Sequence, residues 1–199
     1  MKKIGILCLI GTLIAGLFGC ARPLSIGEEE ALSVLTELVP LSYEINDLFF
    51  GNGLPAADPP EERPGTVSYR PVRDDCSYRS TDEMKAAAAK VYSARYLESV
   101  FVTVFSGNEN DAQAGELGLD MSTSPRYREI DGRLTVDVSY QPLAIRGRLT
   151  VVSVTLGRAT PQYVATETVC RNEAGETETL RILLTKNPDG AWRLDSPTY

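Results

Sequence analysis

Arg133-Leu134-Thr135-Val136-Asp137-Val138-Ser139-Tyr140 is the stretch that decides the fold class. Leu134, Val136, Val138 and Tyr140 alternate with Arg133, Thr135, Asp137 and Ser139. A period of two puts one set on a buried face and the other in water, the pattern of a half-buried strand. The period starts at Tyr127 and continues to the end of the chain. Val152, Val154 and Leu156 alternate with Val151, Ser153 and Thr155. Residues 162–170 form a third run, and Leu180, Ile182 and Leu184 a fourth, opposite Arg181 and Thr185. Trp192 and Leu194 make a last short one. The joins carry turn chemistry: Asp131-Gly132, Asn172-Glu173-Ala174-Gly175 and Pro188-Asp189-Gly190. Consecutive strands with short joins imply an antiparallel sheet.

Before Tyr127 the period is helical. Ser93 to Phe105 carries Tyr96, Leu97, Val100, Phe101 and Val104 on one stripe, with Ser93 as its cap. Ser80-Thr81-Asp82-Glu83 is a capping box opening an Ala-rich helix over Met84 to Val91. Thr66 to Val72 reads as a strand. Ser25-Ile26-Gly27-Glu28 is a further capping box, and Glu28, Glu29 and Glu30 suit the positive end of a helix dipole. Leu32, Leu35, Leu38 and Val39 follow at helical spacing. Pro40 is expected to kink or break that helix. Tyr43, Ile45, Leu48, Phe49 and Phe50 continue the run, with Gly51 as its stop. Residues 52–65, rich in Pro and Gly, are a loop. Segregated helices and strands give an α+β domain. The economical packing is N-terminal helices on one curved antiparallel sheet of about five to six strands.

The chain of 199 residues is long enough for one ordinary core. Lys+Arg 20 against Asp+Glu 27 argues against nucleic acid, which needs clustered cations. There is no His, so the commonest general base and metal ligand is missing. No phosphate loop or nucleophile elbow is present. No cofactor, metal or catalytic set is expected. Composition favours an exported acidic binding module over an enzyme.

The first twenty residues are a targeting segment. Lys2 and Lys3 precede an apolar run from Ile4 to Phe18, shorter than the roughly 20 residues that span a bilayer. Leu17-Phe18-Gly19-Cys20 resembles a bacterial lipobox, in which the Cys is lipidated and becomes the new N-terminus. This divides the chain into a signal peptide (1–19), a lipidated tether (20–27) and one α+β domain (28–199). Removing Lys2 and Lys3 leaves 18 cations against 27 acids. Acyl chains on Cys20 would hold the domain at the outer face of a cell membrane. Cys8 leaves with the signal. Cys76 and Cys170 remain, and in an exported domain they are expected to pair as a disulfide, the alternative being two buried thiols.

Three sets of carboxylates are candidates for function. The long connection Ser106–Pro125 holds Glu109, Asp111, Glu116 and Asp120 and no Lys or Arg. It reads as an acidic loop for a basic partner surface, or as a solvated insertion. Its spacing is not that of a calcium loop. Asp74-Asp75 and Glu61-Glu62 read as solvated pairs. Asp137 and Glu167 lie in strands and would serve as a base only if they face a pocket.

Several stretches resemble the IseA family of bacterial DL-endopeptidase inhibitors, within the wider NTF2-like and cystatin-like architectures. They are Ala31 to Phe50, Tyr69-Arg70-Pro71-Val72, Ser80 to Glu98, Pro125-Arg126-Tyr127 and Trp192-Arg193-Leu194-Asp195-Ser196-Pro197. The resemblance covers most of the domain and no single motif decides it. It implies a non-enzymatic protein that occludes the cleft of cell-wall hydrolases. The alternatives are an NTF2-like cup for a small ligand or cell-wall fragment and, behind it, an enzyme using Asp137 or Glu167. Composition does not fix an oligomeric state.

Overall fold

The computed structural model describes residues 26–57, 69–107 and 124–198. The order is α1 (Glu28–Phe49), β1 (Tyr69–Pro71), α2 (Thr81–Ala89), α3 (Ala94–Phe101), a π-helical turn (Val102–Ser106), β2 (Tyr127–Ile130), β3 (Arg133–Asp137), β4 (Leu149–Thr160), β5 (Tyr163–Asn172), β6 (Thr177–Lys186) and β7 (Trp192–Leu194). The class is α+β. The strands form two antiparallel sheets, β1-β3-β2 and β4-β5-β6-β7, in place of the single sheet of five to six strands expected. The divide falls at residues 138–148, which have no regular structure and lead from β3 into β4.

α1 runs through Pro40 as one helix of 22 residues, against the expected two-part helix. An internal proline costs about 3 kcal/mol. Burying one Leu, Ile or Phe side chain returns about 1.5–3 kcal/mol, and α1 buries Leu35, Leu38, Ile45, Leu48 and Phe49 among others. Packing outweighs the break. The start of α1 also differs from expectation. Gly27 is the N-cap with no side-chain cap bond, and Glu28 Oε1 instead accepts from the backbone N–H of Leu156 at 3.3 Å, tying the helix to β4. Ser25 lies outside the described residues.

The two later helix starts form as read. Ser80 Oγ accepts from Glu83 N (3.1 Å), and Ser93 Oγ accepts from Tyr96 N (3.1 Å). Glu83 reaches one residue further back than a capping box would, accepting from Arg79 N at 2.6 Å. The three predicted turns also form. Asp131 (φ 51°) and Gly132 (φ 72°) take the paired positive φ of a two-residue hairpin turn. Gly175 and Gly190 close the next two, each at φ 84°.

β4 departs from simple alternation. The register with β5 slips between Val151 and Ser153, so Val152 is bulged out and 43% exposed. Leu149, Val151 and Val154 all face inward as a result. One extra residue reverses the parity of everything after it. A second slip lies between Leu156 and Ala159. There a Cβ on Gly157 would sit 3.1 Å from the carbonyl oxygen of Ala165, so glycine permits the close approach.

α1 lies across the inner face of the four-stranded sheet. Leu35, Leu38, Val39 and Ile45 share one core with Val151, Val154, Val164, Ile182, Leu184 and Leu194. Phe49 continues that core toward α3, meeting Phe101 and Phe105 edge-on with ring centroids 6.4 and 5.6 Å away. The small sheet closes the far end of α1 through Tyr127, Leu134, Val136 and Val72, all buried.

Candidate functional site

The residues singled out from sequence do not converge. Cys20 and the acids Glu109, Asp111, Glu116 and Asp120 lie outside the described residues, as do Glu61 and Glu62. Asp74 and Asp75 are exposed in the turn after β1. Arg73 binds Asp75 at 3.0 and 2.5 Å and holds its carboxyl below the ordinary range. Glu167 is exposed on the outer face of β5, opposite Arg181 on β6. It does not face the interior. Asp137 is buried, but its Oδ1 accepts from Ser139 N (2.9 Å) and Ser139 Oγ (2.6 Å). That carboxylate ends β3 and builds the turn after it. Asp137 and Glu167 sit on different sheets and make no acid–base pair.

The expected Cys76–Cys170 disulfide is not formed. Both are free thiols, outside bonding distance. Cys170 points into the core from the middle of the large sheet, opposite Val151. Cys76 lies half-buried in the turn after β1 of the small sheet. The two-sheet division separates them. Burial raises the Cys76 thiol and pushes Cys170 up to about 11, with Glu178 adding to the latter.

The fold instead gathers two clusters of buried polar groups, and these use the stretches that carry the family resemblance. The first is a clasp joining the α2–α3 junction to the C-terminal segment. Leu194 N donates to Val91 O (2.9 Å), and Ser93 N donates to Leu194 O (2.8 Å). Ser93 Oγ donates to Asp195 Oδ1, and Arg95 bonds both Asp195 oxygens. The Asp195 side chain is fully buried while that of Arg95 is 72% exposed. Beside it, Tyr92 Oη donates to Asn46 Oδ1 (2.8 Å), and Thr198 Oγ1 bonds Ser42 (2.7 Å) and Asn46 (3.0 Å). Every one of these groups has a partner.

The second cluster is a cradle around Arg126. Gly51 ends α1, donating to Asn46 O and Asp47 O (3.1 Å each). Arg126 Nη2 donates to Gly51 O at 2.7 Å. Tyr127 Oη donates to Leu48 O (2.8 Å) and accepts from Leu54 N (3.0 Å). Gly53, at φ +69°, passes so close that a Cβ there would lie 2.2 Å from Arg126 Nη2. Tyr69 Oη donates to Pro125 O. Burial raises the hydroxyl pKa of both Tyr69 and Tyr127; Arg128 opposes it at Tyr69, and Arg126 at Tyr127. The Arg126 guanidinium stacks 4.3 Å from the Tyr140 ring and 5.6 Å from the Tyr127 ring. Its Nε and Nη1 are buried without a hydrogen-bond partner among the described residues. In the sequence Arg126 lies within the resembling stretch Pro125-Arg126-Tyr127 and carries no role from it. A lone Arg between Pro and Tyr carries no sign that it is buried.

A shallow depression opens between α1 and the start of β4, lined by Ser42, Tyr43, Asn46, Arg146 and Thr198 among others, and its cavity volume of about 10 Å³ has room for little more than one water. Among the described residues no three His, Cys, Asp or Glu side chains are grouped to hold a metal, and no helix is long and apolar enough to cross a membrane. No protein-family model matches the chain, and no curated protein matches it.

Proposed function

We propose that this chain is a membrane-anchored extracytoplasmic lipoprotein that binds and restrains a cell-wall DL-endopeptidase without catalysing a reaction itself. The observation that carries this over a ligand-binding cup is the filled interior. The space between α1 and the concave face of the large sheet, where a cup would open, is occupied by Leu35, Leu38, Val39, Val154, Ile182 and Leu184, each at most 9% exposed. Recognition then falls to the outer surface. The lipobox-like Leu17-Phe18-Gly19-Cys20 supports the anchor, and the quoted IseA-like stretches support the class of partner. Asp137 and Glu167 support no catalytic reading, since one is consumed by a turn and the other faces solvent.

Purified protein mixed with a peptidoglycan DL-endopeptidase should form a stoichiometric complex and suppress muropeptide release. Absence of both across several such hydrolases would remove this reading. The anchor has a separate test. Cys20→Ala should move the protein out of the membrane fraction, and an unchanged distribution would refute lipidation.

A further inference from the structure

We infer that Arg126 is the recognition group of a carboxylate-binding site covered by Tyr140. The inference is independent of the hydrolase reading. Arg126 is 3% exposed, and its side chain ends in a cationic guanidinium. Buried charges are normally paired, because removing an ion from water is expensive. Among the described residues its one hydrogen bond runs from Nη2 to the carbonyl of Gly51, while Nε and Nη1 meet no acceptor. No described carboxylate forms an ion pair with Arg126. Asp137 is the nearest in strand order, since its N–H donates to Arg126 O, yet its Oδ1 is spent on Ser139.

The group is nonetheless held with care. The Gly51 carbonyl fixes one edge of the guanidinium, Gly53 leaves room only for a hydrogen beside it, and two tyrosine rings flank it. A planar cation fixed in position with two donors spare is a receptor for a carboxylate. The covering residue, Tyr140, belongs to the irregular connection between the sheets, whose Val138 and Leu143 are 45% and 54% exposed. Tyr140 is half-buried and lies outside the strands, so it is the ring that must turn aside to admit an anion. The carboxylate could be a small free acid or the C-terminus of a peptide, and the chemistry at Arg126 is the same for both.

The test uses the full chain in detergent, with sodium acetate, N-acetyl-Ala-Ala and its amide as probes, against sodium chloride at matched ionic strength. The readouts are the melting temperature and the Arg126 Nε–H resonance, assigned by its loss in Arg126→Met. One or both acids should raise the melting temperature and shift that resonance, with the amide inert. Acetate acting alone identifies a free-acid site, and only the peptide acid acting identifies a C-terminus site. Arg126→Met should lose the response. Tyr140→Ala keeps the guanidinium and removes its cover, so it should bind several-fold more tightly, and it keeps the test decisive if Arg126→Met does not fold. If neither acid differs from chloride in either the native protein or Tyr140→Ala, the inference is overturned.

Discussion

The Asp195 clasp and the Arg126 cradle both bury one charged side chain, and they treat it in opposite ways. Asp195 receives Ser93 and both arms of a solvent-exposed Arg95. Its partner stays in water, so only one ion is desolvated and the pair closes cheaply. Arg126 has one carbonyl and two aromatic faces, with two donors left over. The clasp joins segments about a hundred residues apart and is there to hold the fold. The cradle holds a group in readiness, at an expense in stability. The other buried side-chain atoms without a partner among the described residues are Arg146 Nε, whose guanidinium pairs with Glu178, and the neutral Trp192 Nε1, so Arg126 is the one buried cation left without an anion among them.

That contrast can be broken most directly at Asp195. Asp195→Ala should destabilise by about 3 kcal/mol, since hydrogen bonds to a charged group are lost and Ser93 is left buried without its acceptor. Arg126→Met in plain buffer should be close to neutral or stabilising, because an unpaired buried ion is replaced by an apolar side chain of similar reach. Urea unfolding of the two variants measures both. Equal losses would erase the distinction.

A second prediction concerns pH. The Cys170 thiol is raised to about 11 from 9.0, so the folded state holds its proton more tightly than the unfolded state. Stability from this group is complete below pH 9.0 and is lost as pH rises through about 11, a decline of roughly 2–3 kcal/mol. Cys170→Val should flatten that part of the alkaline unfolding curve. An unchanged slope would mean that the thiol is not what titrates.

Smaller effects sharpen the edges of the comparison. Tyr92→Phe removes the hydroxyl that donates to Asn46 and should lower stability by about 1 kcal/mol in the same urea experiment. Val152→Lys should change it by less than about 0.5 kcal/mol, because the bulge turns Val152 to solvent. A loss above 2 kcal/mol there would restore the unbroken alternation that the sequence suggests.

Much of the fold was legible because it rests on local rules. The turn at Asp131-Gly132 and the caps at Ser80 and Ser93 need only a few neighbouring residues. The candidate site was not legible in the same way. Asp137 looks the same in sequence whether it faces a pocket or folds back on Ser139, and Glu167 reveals its face only once β5 is placed against β6. Arg126 became visible only when Gly51, Tyr127 and Tyr140 surrounded it.

By itself, then, the sequence determined the α+β class, the starts of α2 and α3 and the three turns, since these depend on contacts within a few residues. Tertiary structure decided what local rules leave open. It split the strands into two sheets, which keeps Cys76 and Cys170 apart. It carried α1 unbroken through Pro40, because burial along one face outweighs a missing hydrogen bond. It reversed the parity of β4 at one bulged residue, and it buried Arg126 without an anion among the described residues. Each of these outcomes depends on which distant segments meet, and desolvation energy is set by that meeting and not by the neighbours in the chain.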